Sequence, residues 1–328
     1  MEQNHKHKIT FIFPTKNRAN KALKFINKHL KLLKKVNPIF LIIVSNNYEK
    51  KFFVERFRHK KNIKIILQKK KGFMNACFES INYVKTKFCT FLYDDDELSP
   101  YSVEIFSKVF KENLALGYGI VTSKVNYRKF LPISIKNLSF DKILLAYFGK
   151  NIEGVKFMPV SPICLVFSSS FLVVWKKIIL NFCKNNQLRT DIMINQNIGP
   201  DLMLYLHQII KKNKISFATP NIAKFVMHDS SMSYVLGKNK LRIGYWLARK
   251  SLIDFNNLKD KNINKVVFTF LILSGYQILF NNFILKLINK KNYFHLFKNE
   301  IKTLKENKNF QFSFYIFFQI LLSKLIKL

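Results

Sequence analysis

Acidic side chains are scarce in this sequence. Its 328 residues hold 19 Asp and Glu against 56 Lys and Arg, a formal charge of +37. Such an excess ordinarily points to nucleic acid or anionic lipid as a partner. The lysines, however, are spread along the whole chain among Asn, Ile and Phe, a mixture that biased base composition also produces. The charge therefore argues for contact with anionic surfaces and only weakly for nucleic acid. Cysteine is scarce too. Cys77, Cys89, Cys164 and Cys183 form no C-x-x-C pair, and the first three lie in apolar runs. This excludes a thiolate metal site as the organising feature and predicts buried free thiols in a reducing compartment. The sequence shows no P-loop and no internal repeat. The polar stretch Met1 to Lys8 leads directly into a strand, without the apolar segment of a signal peptide.

In a chain so poor in acids, the run Asp94-Asp95-Asp96-Glu97 stands out. It follows an apolar strand, Phe88 to Tyr93, and precedes Ser99-Pro100, which reads as a helix N-cap and first helical residue. Adjacent carboxylates repel one another unless they are solvated or share a hard divalent cation. The carboxyl end of a strand in an open α/β sheet is also where ligands bind. Taken alone, the same run has a second, lesser reading as a polar strand-to-helix turn whose acids favour the helix N-terminus.

The remaining chain supplies a context. Lys8 to Phe13 reads as a strand stopped by Pro14, with Thr15-Lys16-Asn17-Arg18 as a loop. Ala22, Ile26, Leu30 and Leu33 then recur at helical spacing. Ile39 to Val44 is a second, almost wholly apolar strand closed by Ser45-Asn46-Asn47, and Ile63 to Leu67 is a third. Lys69 to Lys71 lead through Gly72 into a helix whose buried face is Met74, Cys77, Phe78, Ile81 and Val84. Continuous apolar strands alternating with amphipathic helices predict a mostly parallel sheet covered on both faces. Gly119 to Val125 and Ile163 to Phe167 read as further strands. Tyr127 to Pro159 reads as an excursion with a short helix near Ile143 to Phe148. Phe171 to Phe182 is amphipathic, and Lys184 to Gly199 reads as a polar loop. Pro200-Asp201 opens a helix carrying Leu202, Leu206, Ile209 and Ile210 on one face, Ile215 to Phe217 is a short strand, and Val226 to Ser231 is a loop.

Beyond about Leu241 the character changes to long apolar-aromatic helices punctuated by lysines. Val266 to Leu285 carries no charge over a length that could span a bilayer. Ser274, Gln277, Asn281 and Asn282 within it point instead to a packed or interfacial helix. Phe310 to Leu328, rich in Phe, Ile and Leu with Lys324 and Lys327 near its end, reads as interfacial. The expected organisation is an α/β domain over 1–235 and a basic, aromatic helical region over 236–328 with a capacity for membrane association.

Taken in order, strand–Pro14-Thr15-x-Asn17-Arg18–helix, strand–Ser45-Asn46-Asn47, Gly72-x-x-x-Ala76 and Phe91-Leu92-Tyr93-Asp94-Asp95-Asp96-Glu97-Leu98 form a pattern that resembles the family-2 glycosyltransferases. These are inverting nucleotide-sugar enzymes with the Rossmann-like GT-A fold, and the likeness covers about residues 8 to 235. The resemblance implies a donor site built from Pro14, Thr15, Asn17, Arg18, Asn46 and Asp94. Arg18 would give charge-assisted hydrogen bonds to phosphate or base. It implies a Mn²⁺ or Mg²⁺ ion held by Asp95, with Asp96 and His228 completing the site. It also implies Asp201 as the base that takes the acceptor proton. Two departures mark the chain: Asn46 stands where relatives carry an Asp that holds the nucleobase, and Tyr93 where many carry the first Asp of the metal motif.

The expected function is transfer of a sugar from a nucleotide-diphosphate donor to a glycan or lipid-linked acceptor in cell-surface polysaccharide synthesis. The expected location is the cytoplasm, peripheral on the inner face of the cytoplasmic membrane. Two alternatives compete. A nucleic-acid-binding protein would suit the charge, but the aromatics fall on core faces rather than interleaving with lysines. A metal-dependent phosphotransferase or nuclease could use the same acids, but lacks a P-loop and a second dense carboxylate–histidine cluster.

Overall fold

The computed structural model describes residues 9–93, 96–99, 102–104, 106, 117–118, 121–122, 134–149, 162, 165–210, 214–219, 223–225, 238–255, 258, 260–284 and 291–306. Four parallel strands form its frame: β1 (Ile9–Thr15), β2 (Ile39–Val44), β3 (Ile63–Leu67) and β4 (Phe88–Phe91). Phe11 lies opposite Phe40 on β2 and opposite Thr90 on β4. Every residue of β1 is buried, as a strand covered on both faces requires. The chain steps outward from β1 to β2 to β3 and then returns to place β4 on the other side of β1. The crevice above β1 and β4 is therefore a topological switch point, where open α/β sheets bind ligands.

The sheet continues as β9 (Leu165–Ser168), β6 (Gly117–Tyr118), β10 (Lys214–Thr219) and β8 (Ser134–Ser139), to give the eight-strand order β3-β2-β1-β4-β9-β6-β10-β8. Here β9 runs antiparallel to β4 and β6, β10 runs parallel to β6, and β8 runs antiparallel to β10. A small sheet of β5 (Asp96–Leu98), β11 (Ala223–Phe225) and β7 (Val121–Thr122) stands beside it.

Three local readings change in the first hundred or so residues. Pro14 does not stop β1, which runs on to Thr15 in register with Val44. The Leu92 N–H donates to the Ile12 carbonyl at 2.9 Å, so residues of that parity face β4. Two residues on, β4 has ended, and the N–H that Pro14 lacks costs no ladder bond. Asn46-Asn47 do more than close β2: Asn46 caps α2 (Asn47–Phe57) by accepting from the Glu49 N–H at 2.8 Å. Finally, the acid run leads into strand β5 rather than directly into a helix, and the next described helical residues begin at Ser102.

Helices α1 (Ala19–Leu32), α2 and α3 (Phe73–Ser80) cover the parallel strands. A short α4 (Phe140–Ala146), then α5 (Ser170–Cys183) and α6 (Pro200–Ile210), follow in the chain. The segment read as a polar loop between α5 and α6 instead holds a helical turn at Gln187–Arg189 and a π-helical turn at Thr190–Asn195.

The C-terminal region forms α7 (Lys238–Asp254), α8 (Lys261–Ile284) and α9 (Lys291–Lys305). Its apolar side chains are spent on the core: Trp246, Leu247, Val267, Leu271, Phe297 and Ile301 are all buried. The Trp246 indole donates to the Leu271 carbonyl at 2.8 Å. Among the described residues no helix is long and apolar enough to cross a membrane. In the charge-free stretch from Val266, Val267, Leu271 and Ile272 are buried against the core. An ionic cluster ties α7 and α9 to the turn before α6. Arg189 grips Glu300 through two bonds of 2.7 Å, and Lys250 reaches Glu300 at 3.2 Å and Asp254 at 2.7 Å. Asn186 adds a bond to Glu300 at 2.6 Å, and Arg189 lies 4.0 Å above the Phe182 ring.

Candidate active site

Two groups of side chains meet the carboxyl ends of the parallel strands. The first joins the loops after β1 and β2. Asn17, with φ 56°, occupies the left-handed region that Asn tolerates, and its side chain accepts from Asn46 Nδ2 at 3.4 Å. Beneath them lies Glu49, 1% exposed, whose carboxylate accepts from the Arg18 N–H (3.3 Å), the Ser45 N–H (3.2 Å), Ser45 Oγ (2.9 Å) and Asn46 Nδ2 (3.3 Å). Glu49 thus braces both loops at once. Sequence reasoning missed it, although the signal was present: Asn46-x-x-Glu49 is a capping-box spacing. Pro14 and Thr15 are buried at the end of β1, and Asn46 is turned inward to serve the helix and its neighbours.

The second group surrounds Asp201 in the first turn of α6. Gly199, with φ 101°, turns the chain into the helix, and its backbone lies against that of Gly244 on α7. A Cβ on Gly199 would meet the Gly244 carbonyl oxygen, and one on Gly244 would meet Ile198, so both positions need glycine. The Trp175 indole donates to the Pro200 carbonyl at 2.9 Å and holds the turn from the α5 side. Asp201 accepts the Leu202 N–H at Oδ1 (2.8 Å) and the Tyr245 hydroxyl at Oδ2 (3.4 Å). Burial outweighs these bonds and pushes its carboxyl up to about 6. Asp201 lines one cleft with Tyr93, Met74, Cys77, Phe91, Trp175 and Asn197. Tyr93 is the residue that leads into the acid run, so the end of β4 and the head of α6 share that cleft.

The strand after the acids is held from behind by His29. Its ring lies 4.0 Å from that of Phe25, its Nδ1–H donates to the Phe25 carbonyl (2.9 Å), and its Nε2 accepts the Leu98 N–H (3.2 Å). Burial pulls this imidazole down to about 4, so it is neutral at physiological pH and each ring nitrogen is used. Nothing in the sequence singled out His29, because its partner lies 69 residues away.

Of the residues expected at the site, Asp94, Asp95 and His228 lie outside the described residues. Asp96 is fully buried in β5, opposite Phe225 of β11, and does not line the cleft. Among the described residues no group of three or more His, Cys, Asp and Glu side chains could hold a metal ion. The described donors alone therefore do not fit a divalent cation. Asp191, the other carboxylate between α5 and the first turn of α6, accepts from Asn195 within the π-helical turn at 3.0 Å.

Comparison with known proteins agrees with this architecture. The chain is similar in structure to Staphylococcus aureus TarS (residues 1-349) crystallised with UDP-GlcNAc, at TM-score 0.55 and 15% identity, covering 87% of this chain and 77% of that one. A second crystal structure of S. aureus TarS 1-349 gives TM-score 0.54 at 14% identity over 90% of this chain and 83% of that one. A third TarS structure gives 0.52 at 13% identity over 81% of this chain and 43% of that one. At such identities the likeness is one of fold, and the fold is GT-A. No curated protein matches the chain in sequence. Residues 10–171, just under half of the chain, match the model of glycosyl transferase family 2, and it is to this glycosyltransferase family that the segment from β1 through β4 and the acid run to β9 belongs.

Proposed function

We propose that the chain is an inverting glycosyltransferase that moves a sugar from a nucleotide-diphosphate donor to a hydroxyl of a glycan or lipid-linked acceptor in cell-surface polysaccharide synthesis. The observation that carries this reading is the shared cleft of Asp201 and Tyr93 at the carboxyl end of β4. The acceptor hydroxyl gives its proton to Asp201 as its oxygen bonds to the anomeric carbon. The bond from that carbon to the diphosphate breaks, and its electron pair leaves with the nucleoside diphosphate. One displacement inverts the centre without a covalent sugar–enzyme intermediate. A carboxyl raised to about 6 suits the task, being ionised at neutral pH yet more basic than an ordinary aspartate.

The donor site is assigned to Pro14, Thr15, Asn17, Arg18, Asn46 and Asp94. Asn46 acts there by shaping the Asn17 loop, as its inward hydrogen bonds support. Asp95 and His228 are the proposed ligands of Mn²⁺ or Mg²⁺, which when bound would supply positive charge opposite the leaving diphosphate, while Asp96, buried in β5, stiffens the site. We place the enzyme peripherally on the inner face of the cytoplasmic membrane, attached through Phe310 to Leu328.

TarS binds UDP-GlcNAc, so a UDP-sugar is the first donor to test. Thermal melting is followed with UDP-, GDP-, dTDP- and CMP-sugars, with and without Mn²⁺, for the wild type and Asp95→Ala. One donor should stabilise the wild type in Mn²⁺, and Asp95→Ala should lose that response while melting normally without ligand. A full response in Asp95→Ala would remove the metal assignment, and no response to any donor would remove the function. Deletion of Phe310 to Leu328 should weaken sedimentation with anionic vesicles, and unchanged sedimentation would remove that attachment.

A further inference from the structure

We infer that Tyr245, on a helix beyond the family-matched segment, is the positioning residue for Asp201, so that α7 completes the active site. The inference rests on Asp201 being the base. Oδ1 of Asp201 is engaged by the Leu202 N–H at 2.8 Å, and Oδ2 faces the Tyr245 hydroxyl at 3.4 Å. Oδ2 is therefore the oxygen that takes the acceptor proton, with Tyr245 fixing its direction. The long separation leaves Oδ2 room for a second donor, the acceptor hydroxyl.

The backbone that carries Tyr245 is tied down. Arg249 donates from Nη1 to the Tyr245 carbonyl (3.2 Å) and from Nε to the Tyr147 carbonyl (2.9 Å). One residue before Tyr245, Gly244 sits directly against Ile198 and Gly199. The loop that carries Asp201 and the helix that carries Tyr245 are thus in backbone contact, and neither moves without the other. Tyr245 keeps its own proton, because the Asp201 charge and burial push its phenol well above the usual value. It remains a donor throughout the working pH range. Among the described residues, the ionisable groups that line the cleft with Asp201 are Tyr93 and Cys77; Arg249 acts on Tyr245 from along α7, where burial lowers the guanidinium to about 10 and leaves it charged.

A donor to the carboxylate favours its ionised form, so removing the hydroxyl and strengthening it should act in opposite directions. The test is the ¹³C carboxyl titration of Asp201, assigned with Asp201→Asn, in wild type, in Tyr245→Phe and with 3-fluorotyrosine at position 245. Tyr245→Phe should raise the midpoint by about half a pH unit, and the more acidic fluorophenol should lower it. Identical midpoints in all three proteins, or shifts of the same sign in both variants, would overturn the inference; the second pattern marks a packing effect. The fluorinated protein keeps the native ring and hydroxyl, and so keeps the test open should the phenylalanine variant fold poorly. Nucleotide release from the donor identified by melting separates the two readings. Turnover by Asp201→Asn removes the base assignment itself. An inactive Asp201→Asn beside an unmoved acid limb in Tyr245→Phe removes only the role of Tyr245.

Discussion

Glu49 and Asp201 are both carboxylates in the first turn of a helix at the carboxyl edge of the sheet, and they are built for opposite ends. Glu49 takes four hydrogen bonds from two loops and is sealed from solvent. Asp201 is half-buried, faces a cleft, and holds its second oxygen at 3.4 Å from its tyrosine. A saturated carboxylate has no capacity left for chemistry and serves as a brace. An under-solvated one with an oxygen toward a cleft is the one that can take a proton. Position on a helix does not distinguish them; the opening of Asp201 onto a cleft does.

The contrast is broken most severely at Asp201. Asp201→Asn should lower turnover by roughly a hundred- to ten-thousand-fold, while donor binding stays intact. Its unfolding free energy in urea should stay level or rise, because at neutral pH the folded state holds a charge that burial disfavours. A stability loss like that expected below for Glu49 would erase the distinction between the two carboxylates.

Glu300 carries saturation further than Glu49, since Arg189, Lys250 and Asn186 all converge on it. Glu300→Ala leaves Arg189 and Lys250 under-compensated inside the protein and should cost about 3–5 kcal/mol in a denaturant titration. A loss below about 1 kcal/mol would show the cluster to be solvated after all.

His29 extends the comparison to pH. Its folded value of about 4 lies below the ordinary 6.5, so as pH falls the unfolded chain is protonated first. Its contribution is complete above about pH 6.5, declines between 6.5 and 4, and is constant below that, about 3 kcal/mol in all. Asp201 acts in the opposite sense, gaining stability for the fold as pH drops through about 6. The difference in pH slope between wild type and His29→Gln isolates the histidine, and parallel slopes would refute its neutral burial.

The smallest effect expected is at Glu49 itself. Glu49→Ala should cost about 2 kcal/mol, the penalty for stranding buried donors. It should also weaken donor binding, because the Arg18 and Ser45 loops lose their common anchor. Unchanged affinity would make Glu49 a brace for the fold and not for the site.

Much of this arrangement could be read from the sequence. Strands β1, β2 and β4 are mostly apolar runs, β3 is one interrupted by Lys64, and α1, α3 and α6 repeat at helical spacing, so the parallel sheet and its edge were legible. Helix α2 was not, because Phe52, Phe53, Val54 and Phe57 crowd together without a clean stripe and only the Asn46–Glu49 cap betrays its start. Strand β5 was hidden because Ser99-Pro100 carries a local helix-start signal, whereas its actual pairing is with β11, more than a hundred residues on. The turns between α5 and α6 read as loop because Arg189, which anchors them, finds its partners on α7 and α9. Asp201 was visible as a residue, but Tyr245 could be found only by folding the chain. Local pattern carries the frame, and long-range pairing carries the setting of the site.

The chain has two tryptophans, and their indole hydrogen bonds give each a separate optical meaning. Trp175 donates to Pro200 in the wall of the cleft, and Trp246 donates to Leu271 in the helical layer behind it. Replacing one at a time by Phe would leave a single emitter in each place. Quenching of the Trp175 signal would then follow occupancy of the cleft, and the red shift of Trp246 would follow loosening of the C-terminal helices. Ligand entry and helix separation thus become separately readable by intrinsic fluorescence in two single-tryptophan proteins, with no label attached.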